Sequence, residues 1–135
     1  MIEYSINDGA TIIHFKKKDI SYVNSTLGSD LPGFHLDRVT KKIELALVTR
    51  AKGGNLFRFT SLFNQRINAG EEYNVYVEMR ENANGCTFVS KINKSNFVNL
   101  GNLDCVIWND VEVWMGGPWN SDGGIEVWNF KYAFL

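Results

Sequence analysis

Apolar and polar residues alternate with a period of two along most of this chain, and that restricts its fold more than any other feature. No stretch carries apolar residues at i, i+3, i+4 and i+7 through two helical turns with good helix formers between them. Alternating segments arrive instead at intervals of roughly 8–12 residues with turn signals between, the pattern of a two-sheet sandwich. The spacing predicts strands near 2–6, 11–15, 20–24, 34–38, 42–50, 55–62, 72–80, 86–92, 96–100, 104–107, 111–116 and 124–134. Asn7-Asp8-Gly9, Lys52-Gly53-Gly54-Asn55, Asn68-Ala69-Gly70 and Asn82-Ala83-Asn84-Gly85 mark turns.

The alternation also sorts the faces of each strand. Ile43, Leu45 and Leu47 share one face, as do Phe57 and Phe59 with Arg58 and Thr60 opposite, and Tyr73, Val75, Val77 and Met79 point together. Toward the C-terminus, Val111–Met115 and Ile125–Tyr132 flank a loop that sets Gly116-Gly117-Pro118-Trp119 against Asn120-Ser121-Asp122-Gly123-Gly124. Glu126, Trp128, Phe130 and Tyr132 make one face of the last strand aromatic, and their alternation assigns Trp114 and Trp128 to the core. The fold expected is all-β, an antiparallel two-sheet jelly-roll β-sandwich forming a single domain over 1–135.

Charge and composition narrow the function. A formal net charge of -1 does not suit a protein that neutralises a row of phosphates, so nucleic acid is not an expected partner. Apolar runs fall far short of the ~20 residues that span a bilayer, so membrane insertion is not expected. The start, Met1-Ile2-Glu3-Tyr4, has no basic segment leading into an apolar core, and no signal peptide is visible. The two cysteines, Cys86 and Cys105, are too few for a disulfide framework and too isolated for a zinc site. Two buried free thiols are the first expectation, with a single bridge between neighbouring strands as the alternative.

From about residue 42 to the end, the chain resembles the laminin-G/concanavalin-A-like jelly-roll modules. A Gly-rich turn leads into an alternating strand over Ala69–Met79, and a hairpin pairs Cys86–Ser90 with Asn96–Leu100. An apolar strand then ends in Gly116-Gly117, and a Gly124-Ile125 strand closes the sheet. The resemblance implies binding of glycans or protein ligands, in some members through calcium held by loop carboxylates, and implies an extracellular or surface-displayed setting. Galectins share the fold and size, and His14-Phe15-Lys16-Lys17-Lys18 is similar to their His-x-Asn-x-Arg strand. Here Lys16 and Lys18 replace the sugar-binding asparagine and arginine, Val23-Asn24 lacks the spacer of the partner motif, and the stacking Trp-Glu pair is missing.

The candidate ligand-binding residues are Trp119, Asn120 and Asp122, with Trp108 and Asn109 entering the strand that leads to their loop. A sugar packs its C–H face on an aromatic ring and pairs its hydroxyls with amides or carboxylates. In a β protein these residues serve equally as turn formers and as a cap folded over the sheet end. Metal ligation is expected only if Asp104, Asp110 and Asp122 converge, and calcium, which takes 6–8 oxygens, is the ion they would suit. His14 and His35 lie on separate predicted strands, where a histidine is ordinarily a hydrogen-bonded structural residue.

Three functions follow as expectations. The first is a non-catalytic, lectin-like module whose partner is a glycan or glycoconjugate. The second is a protein-interaction or structural sandwich, such as a viral or phage receptor-binding part, with a protein receptor as partner. The third is a glycoside hydrolase, because Asp110 and Glu112 on one strand face would stand about 7 Å apart. Trp114 occupies the place of the third acid that sandwich glycosidases set on such a strand, and no Gly-x-Ser-x-Gly, His-Glu-x-x-His or phosphate-cradling loop is present.

Overall fold

The computed structural model describes residues 10–18, 29–37, 39–68, 70–106, 108 and 110–115. Eight strands run in chain order: β1 (Ala10–Lys17), β2 (Gly33–Leu36), β3 (Lys42–Arg50), β4 (Leu56–Arg66), β5 (Val75–Asn82), β6 (Gly85–Ile92), β7 (Ser95–Leu103) and β8 (Val111–Met115). All pair antiparallel, in a five-stranded sheet of order β4-β3-β2-β1-β8 and a three-stranded sheet of order β5-β6-β7. Among the described residues there is no helix, and so none long and apolar enough to cross a membrane.

The period-two pattern explains why the sheets meet. Phe34, Ile43, Leu45, Leu47 and Phe63 from the larger sheet form one buried cluster with Cys86, Phe88, Ile92, Val98 and Leu103 from the smaller. Phe57 and Phe59 pack against it while Arg58 between them faces out, as their alternation predicts. Phe63 and Phe97 touch edge to face across the sheets, with ring centroids 5.5 Å apart. The result is a β-sandwich. Of the predicted β5 face, Tyr73 and Val77 reach this core, but Val75 and Met79 remain exposed. β5 is an outer strand of its sheet, so its core-side residues overhang the other layer.

The connections hold the layers in register. β6 and β7 are joined by Asn93 and Lys94, both at positive φ (51° and 68°), the geometry of a tight hairpin turn. After β7 the chain returns along the larger sheet, with Lys52 N donating to Asn102 O at 2.9 Å and Asp104 N to Arg50 O at 2.9 Å. The segment over 104–106 is therefore a crossover between sheets, where the alternation had predicted a strand over 104–107. Cys86 and Cys105 form a disulfide with Cα atoms 5.2 Å apart, which corrects the expectation of two free thiols. The bridge ties the crossover to the core face of β6, a proximity that only the tertiary path creates. The strands predicted near 2–6, 20–24 and 124–134 lie outside the described residues.

Candidate functional site

The face of the five-stranded sheet turned away from the core carries an unusual concentration of polar side chains. Because Ile13, Phe34, Leu45 and Phe57 point inward, their neighbours His14, His35, Glu44 and Arg58 point outward. Asp30 joins this face from the segment preceding β2. That segment is stitched between two strands: Leu31 N donates to Phe15 O at 2.8 Å, Phe15 N to Pro32 O at 2.9 Å, and Val48 N to Asp30 O at 2.7 Å. The Leu31-Pro32 peptide is cis.

Three side chains converge on the Asp30 carboxylate. His35 Nε2 lies 3.1 Å and His14 Nε2 3.3 Å from Oδ1, and Arg58 Nε donates to Oδ2 at 3.1 Å. Thr11 Oγ1 sits 3.1 Å from Nδ1 on the far side of the His35 ring, and the two imidazoles meet edge to face at 5.7 Å. His14 and Asp30 are almost completely buried, with 4% and 5% of their surfaces exposed. Burial alone would raise the Asp30 carboxyl. The hydrogen bond from His35 and the charges of His35, His14 and Arg58 outweigh it and hold the carboxyl below its ordinary value. For His14 burial wins, lowering its pKa against the pull of Asp30 and a backbone hydrogen bond at Ser29.

This cluster is a hydrogen-bonded ion network. Asp30 divides its two oxygens between the histidines and a guanidinium, and among the described residues no group of three or more His, Cys, Asp or Glu side chains is arranged to hold a metal ion. Of the aspartates proposed for calcium, Asp104 is half-buried in the crossover, Asp110 is exposed and Asp122 lies outside the described residues.

Beside the cluster, β8 brings an aromatic ring to the same face. Trp114 stands directly across the ladder from His14, and Glu112 across from Lys16. Opposed antiparallel residues hold their Cβ atoms roughly 4.5–5.5 Å apart on one side of the sheet. Lys16 Nζ donates to Glu112 Oε1 at 3.2 Å. Trp114 is 39% exposed, which corrects its assignment to the core: the strand alternates as expected, but the face carrying Trp114 is the outer one. The acidic pair read for hydrolysis is also altered. Asp110 precedes β8 and has φ 57°, so it does not share a regular strand face with Glu112.

Of the candidate binding residues, Trp108 is half-buried in the connection entering β8, and Asn109, Trp119, Asn120 and Asp122 lie outside the described residues. Asp30, Arg58 and Trp114 were missed as site residues. The available signal was that His14, His35 and Arg58 each follow an apolar residue that packs on the core (Ile13, Phe34 and Phe57), which places all three on one side of a sheet once the strands are paired.

A second polar group occupies the outer face of the smaller sheet. Arg80 donates to both oxygens of Glu78, from Nε at 3.0 Å and Nη2 at 2.7 Å, and Tyr76 Oη donates to Glu78 Oε2 at 2.5 Å. Those bonds, the arginine first and then the tyrosine, lower the Glu78 carboxyl to about 2. Comparison of the chain with protein-family models, with curated proteins and with solved structures finds no match.

Proposed function

We propose that this chain is a non-catalytic carbohydrate-binding module of the jelly-roll, concanavalin-A-like type, and that it takes its glycan on the outer face of the five-stranded sheet. The observation that carries the reading is an exposed tryptophan, Trp114, opposed in register to His14 of a buried polar network. A sugar ring placed on Trp114 would offer hydroxyls to Glu112, two residues along β8 on the same face, while Lys16 lies buried beside it. The network beneath supplies rigidity: with Asp30 held by three side chains, the groups around a ligand are fixed before it arrives, which lowers the ordering cost of binding.

Glu112 is suited to accepting hydroxyl hydrogens. It accepts from Lys16 Nζ through Oε1 at 3.2 Å, so its carboxylate is already placed as a hydrogen-bond acceptor on this face. The Cys86–Cys105 bridge fits an oxidising setting such as a surface or extracellular one. Residues 116–124 follow β8 directly in the sequence, and Trp119, Asn120 and Asp122 among them are proposed to extend the same site.

The experiment is an array of immobilised glycans probed with the purified chain, with its mass in solution measured alongside. Binding to a defined group of glycans by the monomer is the expected result. Absence of binding to any glycan, together with a stable oligomer, would replace this reading with that of a structural or protein-interaction domain.

A further inference from the structure

The outer face of β5 and β6 carries a second polar group whose residues take no part in the network around Asp30. Tyr76, Glu78 and Arg80 alternate on one side of β5, and Lys91 lies directly across the ladder from Tyr76. With Asn74, Val75 and Lys94, three of these residues (Tyr76, Arg80 and Lys91) line an open depression of about 490 Å³. Two properties define what it can hold. One is an aromatic platform: Tyr76 is 47% exposed, and the bond from its hydroxyl to Glu78 fixes the ring by its far end. The other is charge. Three cations line the depression, and the Glu78 carboxylate beside them is taken up by its two bonds from Arg80. Lys91 and Lys94 therefore present their charge to whatever enters.

The lysines are placed by the backbone and not by chance flexibility. Lys94 is the second residue of the tight β6–β7 turn, and that turn is held against the start of β5 by Asn74 N donating to Asn93 Oδ1 and Asn93 N to Asn74 O, at 2.9 and 2.8 Å. An aromatic face with two ammonium groups at its rim matches a sugar ring that bears an acid group: the ring's C–H face covers Tyr76 while a sulfate or carboxylate meets the lysines. A chain of net charge -1 has no general attraction for polyanions, so a local site is needed for such binding.

We propose that this depression is a binding site for the acidic residues of a sulfated or uronic-acid-containing polysaccharide. It stands apart from the Trp114 face, and either site can hold if the other fails.

The test is titration of the full chain with dextran sulfate and with uncharged dextran at two salt concentrations. The expected result is binding of dextran sulfate alone, weakened by added salt. The paired substitution Lys91→Gln with Lys94→Gln should weaken it by on the order of tenfold, as about 1.4 kcal/mol of lost interaction would. Tyr76→Phe should keep binding, with at most a few-fold loss from the missing hydroxyl bond to Glu78, and Tyr76→Ala should lose it. Lys17→Gln with Lys18→Gln, a basic pair at the end of β1, should leave the affinity unchanged. Failure of the wild type to bind dextran sulfate, equal binding of uncharged dextran, or equal losses from the two lysine pairs would each overturn the proposal. Trp114→Ala tested against dextran sulfate separates the sites: full retention is expected, and loss would assign this binding to the other face.

Discussion

Gly33 lies so close to Asp30 that a β-carbon on residue 33 would collide with the carboxylate Oδ1 and stand only 2.8 Å from Nε2 of His35. The glycine is what lets the aspartate lie over the sheet between two histidines. With Ala46 beside it in the ladder, it makes a floor of small residues under the polar network.

Gly33→Ala should therefore displace Asp30 and break its contacts with His14 and His35 together. A buried carboxylate that loses its partners costs about 3–5 kcal/mol. Urea denaturation should register a loss of at least about 2 kcal/mol. Wild-type stability in this variant would mean that Asp30 does not occupy the place described.

Protonation of the same network sets a pH dependence. The folded state holds His14 below its ordinary pKa of 6.5, so the unfolded chain binds the extra proton first. The stability that neutral His14 contributes is present above pH 6.5 and is lost as pH falls toward the folded value. Asp30, also depressed, adds a loss of the same sign below its ordinary 3.8. Stability measured from pH 7 to 5 should decline, with a His14 share of at most about 1.4 kcal/mol per pH unit. His14→Gln should flatten that decline. An identical slope in the variant would remove His14 from the account.

Reduction of Cys86–Cys105 frees the β6–β7 hairpin and crossover, a loop closed over a sequence separation of 19. Loop-closure entropy for a ring of about this size corresponds to about 3 kcal/mol. Denaturation with and without reductant should differ by that order. A Cys86→Ala with Cys105→Ala variant should match the reduced protein and no longer respond to reductant. Unchanged stability on reduction, with thiol titration confirming cleavage, would contradict the role given to the bridge.

Ser90 is fully buried between Phe88 and Ile92 on the core side of β6, and its hydroxyl finds no hydrogen-bond partner among the described residues. An unsatisfied buried polar group costs about 1–3 kcal/mol. Ser90→Ala should leave stability unchanged or raise it by about 1 kcal/mol. A loss beyond about 1 kcal/mol would reveal a partner for the hydroxyl.

The sandwich was legible where alternation was strong. Ile43, Leu45 and Leu47 all share the face that packs on the core, as their alternation predicts, although Ala46 and Val48 on the opposite face of β3 are buried as well. What alternation cannot do is say which face of a strand is outer. The alternating position of Trp114 points it to the core only if that face of β8 is the inner one, yet its register partner is His14, and the ladder carries both to the polar side. Asp30 was illegible for a different reason. It stands outside a regular strand, and only the pairing of 31–32 with Phe15 brings it over His14 and His35. The cysteine bridge likewise depends on where the crossover runs after β7, and no local pattern encodes that path.

The most direct measurement of the proposed function is the glycan affinity of Trp114→Ala against that of the wild type on whichever glycans the array selects. Loss of a stacking platform should lower affinity at least tenfold, equivalent to about 1.4 kcal/mol, while the pH-dependent stability carried by His14 persists. Undiminished glycan affinity in the folded variant would contradict a site on this face of the sheet.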